Sequence, residues 1–112
     1  MRNAGKFHIV SLDEAELLYN RDPENSVMID VRDVDEYYVK HASQAINLPL
    51  DDFSEEALSK VIPSKDTKVF TYCRSGQRSR RAILQLVDYG YKNLYDMGGL
   101  NGWPYKFGYG LD

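Results

Sequence analysis

Short apolar runs and helix-patterned stretches take turns along this chain, and the alternation leaves few folds open to it. "FHIV", "SVMIDV", "QAINLP", "KVFTYC" and "NLYDM" each have the length and side chains of a strand, and "SVMIDV" and "KVFTYC" are apolar enough to be buried on both faces. Between them, "SLDEAELLYN" opens with a capping box, Ser11 and Glu14, ahead of an apolar stripe at Leu12, Ala15, Leu18 and Tyr19. "DVDEYYVKH" reads as a helical turn or two, and "FSEEALSKVI" as a helix with Ser54 as N-cap, ended by Pro63. A further stripe, Ala82, Ile83, Leu86 and Val87, stops at Gly90. "GGLNGW" reads as a short terminal turn or helix. Strands that alternate with helices predict an α/β domain, its mainly parallel sheet covered on both faces.

The 112 residues suit a single core, and 43% hydrophobic residues fit a folded, soluble chain. No apolar run approaches the ~18 residues of a membrane span, and nothing after "MRN" resembles a secretory signal. A lone cysteine makes no internal disulfide, so a reducing compartment, the cytoplasm, is expected.

That cysteine lies in "FTYCRSGQRSRRA", with four arginines in the eight residues that follow it. Residues 69–87 carry a local +4 in a chain whose net charge is -3, which leaves -7 for the rest. The overall sign argues against nucleic acid as a partner. The island itself reads either as a solvated helix face or as a docking point for a small anion.

Position favours the anion. Cys73 stands where a strand ends, with Arg74, Ser75, Gly76, Gln77 and Arg78 before a helix for which Ser79 is the expected N-cap. In open parallel sheets, ligands bind beyond the carboxyl ends of the strands. A strand–loop–helix turn directs several backbone N–H groups into one concavity, and Gly76 supplies the left-handed conformation a tight cradle needs. A thiol in such a loop is expected to react as the thiolate. Arg80 and Arg81 oppose the helix dipole, which is read as drawing anions in through the long-range field.

The bland alternative for Cys73 is a small buried hydrophobe, and its place at the end of the strand weighs against that. His8 and His41 lie far from it in sequence and no second cysteine is present, so no metal is expected. His41 is read as a turn or core residue, not a base. Asp30 is expected to accept local backbone hydrogen bonds, and Arg32 to pair with Glu36 rather than reach a substrate anion. Trp103, Tyr105 and Tyr109 are expected to cover the core near the C-terminus.

Taken together, "MIDVRDVDEY" (28–37), "HASQAINLPL" (41–50), "VFTYCRSGQRSRRA" (69–82) and "NLYDMGGLNGW" (93–103) resemble the single-domain rhodanese, or thiosulfate sulfurtransferase, family over nearly the whole chain. The resemblance implies one domain over 1–112 with a central five-stranded, mainly parallel sheet. It also implies a six-residue active-site loop from Cys73 to Arg78, with Cys73 as nucleophile and Arg74, Ser75, Gly76, Gln77, Arg78 and Ser79 around the substrate. One segment departs from the family: where Gly-His-Ile-Pro-Gly-Ala is common, residues 40–45 read "KHASQA".

The reaction this implies is ping-pong. Cys73 takes the outer sulfur of thiosulfate or a related small anionic donor, holds it as a persulfide among loop N–H groups, and passes it to cyanide, a small thiol or a protein thiol. No cofactor, nucleic acid or membrane is called for, and a monomer is favoured. Cysteine phosphatases and arsenate reductases resemble Cys, five residues, Arg; here four residues intervene. One residue fewer removes up to about 3.5 Å of contour, which tightens the cradle around sulfur and crowds out phosphate. A catalytically silent rhodanese-like module is the other rival, and such modules are expected to lack the cysteine.

Overall fold

The computed structural model describes residues 1–111. In chain order the elements are β1 (Arg2–Asn3), β2 (His8–Ile9), α1 (Leu12–Arg21), β3 (Ser26–Asp30), α2 (Val34–Val39), β4 (His41–Ala42) and β5 (Ala45–Asn47). They continue with α3 (Glu55–Val61), β6 (Lys68–Cys73), α4 (Gln77–Asp88), β7 (Asn93–Gly99) and β8 (Phe107–Gly108). The main sheet has the order β1-β2-β7-β6-β3-β5, and β4 pairs with β8 in a separate two-stranded sheet.

From β2 across to β5 every pairing is parallel, so the five expected parallel strands are present. A sixth, β1, joins β2 antiparallel at the edge, after a reversal in which Gly5 takes φ 91°. Two residues of polar sequence gave no strand signal of their own. The β4–β8 pair is equally short, and its antiparallel register sets His41 opposite Gly108 and Ala42 opposite Phe107. "GGLNGW" forms no helix: Gly98 and Gly99 finish β7, and a turn follows.

Local chemistry starts α1 and α3 where expected. Glu14 N–H donates to Ser11 Oγ at 3.0 Å and Ser11 N–H donates to Glu14 Oε1 at 2.9 Å, a reciprocal cap for α1. Ser54 Oγ accepts from Ala57 N–H at 3.0 Å and starts α3.

Strand alternation sorts the side chains into two cores. On one face Ile29, Val31, Val69, Cys73 and Leu94 pack under Leu58 of α3 and Ala82, Ile83 and Leu86 of α4. On the other, Met28, Phe70 and Tyr72 pack with Ala15 of α1 and Tyr37 of α2. Aromatic rings cross this second face: Phe70 stacks on Tyr95 at 4.8 Å, Tyr95 on His8 at 5.3 Å, and Tyr19 meets the edge of Phe70 at 6.1 Å. No helix among the described residues is long and apolar enough to cross a membrane.

Phe70 is wholly buried at the centre of the sheet and belongs to this ring row. Phe70→Ala is expected to lower unfolding free energy by about 3–5 kcal/mol, measured by urea denaturation.

Candidate active site

β6 is flanked by β3 and β7, and its carboxyl end carries the loop. The ladder between β6 and β7 is regular up to Thr71, then shifts register so that Cys73 faces Gly99. Such a bulge re-aims the strand's end. Cys73 is the last residue of β6 and has no exposed surface. Its Sγ accepts a hydrogen bond from Gly76 N–H at 2.8 Å, so one donor of the expected ring reaches the sulfur in this conformation.

Gly76, at φ 102°, is the N-cap of α4 in place of the expected Ser79. The left-handed turn begins the helix three residues earlier than a serine cap would, and Ser79 falls inside the first turn. There it is fully buried; its hydroxyl donates to Asp96 Oδ1 at 2.6 Å and lies 2.9 Å from Thr71 Oγ1. Ser79 thus joins α4 to the sheet beneath the loop.

A second backbone segment supports the loop from the side. Leu100 N–H donates to the Cys73 carbonyl at 3.0 Å. A Cβ added to Gly99 would lie 2.5 Å from the Arg74 carbonyl oxygen, so this position admits only glycine without a backbone shift. Asp96 shapes the approach, taking Gly98 N–H at 2.9 Å and Arg80 Nε at 2.8 Å as well as Ser79. Arg80 is therefore neutralised by a buried carboxylate, a compensation that its sequence neighbours do not reveal.

Two further arginines are paired, one across a long distance in sequence and one locally. Arg78 donates to Glu36 of α2 through Nη1 at 2.9 Å and Nη2 at 3.2 Å, a two-pronged ion pair closing the loop's far end. This partner displaces the expected Arg32–Glu36 contact. Arg32 turns back instead to Asp30, with Nη2 to Oδ2 at 2.6 Å and Nε to both oxygens at 3.0 Å. Its Nη2 also reaches the Lys40 carbonyl at 2.7 Å. A fully buried carboxylate attracts a guanidinium more strongly than a half-exposed one does. Asp30 accepts Arg32 N–H at 2.9 Å as well, the local role expected of it.

Arg78 holds the Glu36 carboxyl below its ordinary range, outweighing desolvation, which acts the other way. Burial, reinforced by Asp30, pushes the Tyr72 phenol far above its usual value. It stays neutral, and its oxygen accepts Ala42 N–H at 3.1 Å. His41 is a core residue, as expected, stacked on Tyr37 at 3.6 Å with Nδ1 2.7 Å from the Tyr37 carbonyl.

Two clefts flank the loop. One, of about 610 Å³, is bordered by Arg74, Glu36, Lys40, Leu100, Trp103 and Phe107. The other, of about 650 Å³, is bordered by Ser75, Gly76, Gln77, Arg80 and Met97. The predicted loop residues are thus together in space, Arg74 toward one cleft and 75–77 toward the other, while Ser79 lies beneath. Of the C-terminal aromatics, Trp103 is buried and Tyr105 half-buried, whereas Tyr109 is 66% exposed and covers no core. Asp96 and the Gly98–Gly99 pair were missed in the sequence, where only the doublet in "GGL" could have signalled a close backbone approach; Glu36 was expected as the partner of Arg32 rather than of Arg78.

Comparison with known proteins bears on the family and the fold. The Rhodanese-like domain model fits residues 12–105, and the chain belongs to that family. It is 36% identical over 72 residues to the thiosulfate sulfurtransferase PspE of Escherichia coli, covering 64% of this chain and 68% of that protein. It is 30% identical over 104 residues to the adenylyltransferase and sulfurtransferase UBA4 of Candida albicans, and 34% identical over 82 residues to a tRNA uridine(34) hydroxylase of Hamiltonella defensa. These matches cover 88% and 70% of this chain but only 23% of each of those longer proteins. Among solved structures, an E. coli rhodanese with anions superposes with a TM-score of 0.70 at 32% identity, over 76% of this chain and 99% of that one. The family match stops short of β8.

Gly99→Ala is expected to cost about 1–3 kcal/mol in urea denaturation and to displace the loop, read as shifted amide resonances at 73–76. The Glu36–Arg78 pair has its own pH signature. A depressed folded-state pKa gives stability present above the unfolded value, near pH ~4.3, and lost as pH falls through the folded value. Glu36→Gln should therefore be less stable than the parent at pH 7, and the gap should close below about pH 4, measured by melting at a series of pH values.

Proposed function

We propose that the protein is a sulfurtransferase that carries a sulfane sulfur on Cys73, with thiosulfate or a related anion as donor. The observation that carries this reading is the thiol's placement. It ends a parallel strand within a Cys-x4-Arg loop, and Gly76 N–H already lies on its sulfur at 2.8 Å. The chain's likeness to a thiosulfate sulfurtransferase over two thirds of that protein's length supports it.

In the first half-reaction the Cys73 thiolate attacks the outer sulfur of thiosulfate. A new S–S bond forms to Sγ, the sulfur–sulfur bond of thiosulfate breaks, and sulfite leaves with the electron pair. Cys73 keeps one sulfur and one negative charge as the persulfide anion, which the loop amide and the N-terminal end of α4 stabilise. In the second, cyanide or a thiolate attacks the terminal sulfur and Cys73 leaves as thiolate. Arg74, exposed and next after Cys73 in the loop, meets the incoming anion. Arg78, held by Glu36, fixes the loop's curvature. Since Sγ is covered in this conformation, donor access requires the crest at 74–77 to move while 73 stays clamped by Leu100.

Intact mass spectrometry without reductant is the test. After incubation with thiosulfate, the protein is expected to gain the mass of one sulfur atom, lose it on addition of cyanide, and show no gain as Cys73→Ser. An unchanged mass with thiosulfate and with organic sulfane donors would overturn the reading.

A further inference from the structure

We infer that the cleft beside Arg74 selects sulfur donors whose anionic head is carried on an aromatic-sized apolar body, and that Phe107 and Lys40 determine this specificity. The inference rests on the sulfur-transfer reading and names its substrate class.

The first observation is size. About 610 Å³ falls within the ~300–1,000 Å³ range of pockets that enclose small organic molecules, far more room than an inorganic anion fills. The second is the charge left over. Glu36 is committed to Arg78, and Arg32 to Asp30. Among the described residues this leaves Arg74 and Lys40 as the cleft's cations without a carboxylate partner. The third is the wall. Trp103 is buried and spends its indole N–H on the Lys106 carbonyl at 3.0 Å, so its ring offers a ligand no hydrogen bond. Leu100 and Phe107 add further apolar surface.

Phe107 is placed by a device of its own. β8 pairs with β4, and Ser43 N–H binds the Lys106 carbonyl at 3.0 Å. The Lys40 ammonium lies over the Phe107 ring at 4.3 Å, so cation and aromatic wall are held as one unit. That unit stands on β8, beyond the span matched by the family, and on the 40–45 segment where the sequence departs from the family's usual pattern. An anion with an apolar body would lay the body along Phe107 and Trp103 and its charge toward Lys40 and Arg74.

Benzenethiosulfonate is the probe donor. Its outer sulfur bonds to Cys73 Sγ, the bond between that sulfur and the sulfonyl sulfur breaks, and benzenesulfinate leaves with the electron pair, so charge balances as with thiosulfate. With cyanide as acceptor, thiocyanate release gives kcat/KM for both donors. The parent is expected to favour benzenethiosulfonate by about tenfold or more, the order a hydrophobic subsite supplies. Phe107→Ala is expected to cut that preference by about fivefold or more, with Phe107→Leu between the two. The leucine variant carries the test if alanine unfolds the C-terminal strand. Equal use of the two donors, or a preference unmoved by both variants, would overturn the inference.

Benzenesulfonate, which has no sulfane sulfur, separates this inference from the reading beneath it. Titrated into Cys73→Ser, it is expected to shift the Trp103 indole resonance at lower concentration than sulfate does, and this effect should weaken in Phe107→Leu. Binding there while no donor loads Cys73 would overturn sulfur transfer but uphold the cleft's selectivity. Donor loading without such binding would do the reverse.

Discussion

Backbone meets backbone at the centre of the site, with no side chain between. Gly99 lies against the Arg74 carbonyl so closely that a methyl group would not fit, and Leu100 N–H holds the carbonyl of Cys73. This contact makes the end of β7 a floor for the loop that leaves β6. The register shift after Thr71, the left-handed Gly76 and the early start of α4 all agree with a loop confined on that side. Were β7 to end one residue sooner, nothing would oblige the chain after Cys73 to curl back over its own sulfur.

Around that contact the pleat assigns duties by parity. Val69, Thr71 and Cys73 face α4, while Phe70 and Tyr72 face α1 and α2, so neighbouring residues of one strand serve opposite layers. On the α4 side Asp96 collects Ser79, Arg80 and Gly98 and ties helix, loop and β7 together. On the other, Asp30 and Arg32 secure the start of the segment leading to α2, and Tyr72 takes an amide from β4. Breaking one member of such a buried ion pair typically costs about 3–5 kcal/mol, because the other charge is left without a partner. The ion pairs near the loop thus act mainly on its shape.

What could be read in the sequence was whatever depends on near neighbours. The caps at Ser11 and Ser54, the buried strands at Val27 and Val69 and the α4 stripe all announce themselves within a few residues. So does the loop, where Cys73, Gly76 and Arg78 are close in sequence and perform local geometry. Partners distant in sequence leave no such mark. Arg32 has Glu36 four residues on, but Arg78 takes that carboxylate from 42 residues away. Ser79 looks like a cap in its own window and becomes a buried link only because Asp96 arrives on β7. The β4–β8 pair was invisible for the same reason, since two-residue strands carry no periodicity and exist only through each other.

The strand order has a temporal side. β2 lies near one end of the chain, yet its neighbour in the sheet is β7, near the other. Until β7 is available, His8 has no ring to stack on and Phe70 exposes the flank that Tyr95 will cover. A chain emerging from the ribosome can therefore assemble β3, β5 and β6 with their helices, but the β6 edge stays open until β7 has been made. The same late strand brings Asp96, Gly99 and Leu100, so closing the sheet and shaping the loop are one event. The thiol therefore acquires its setting only once β7 is in place.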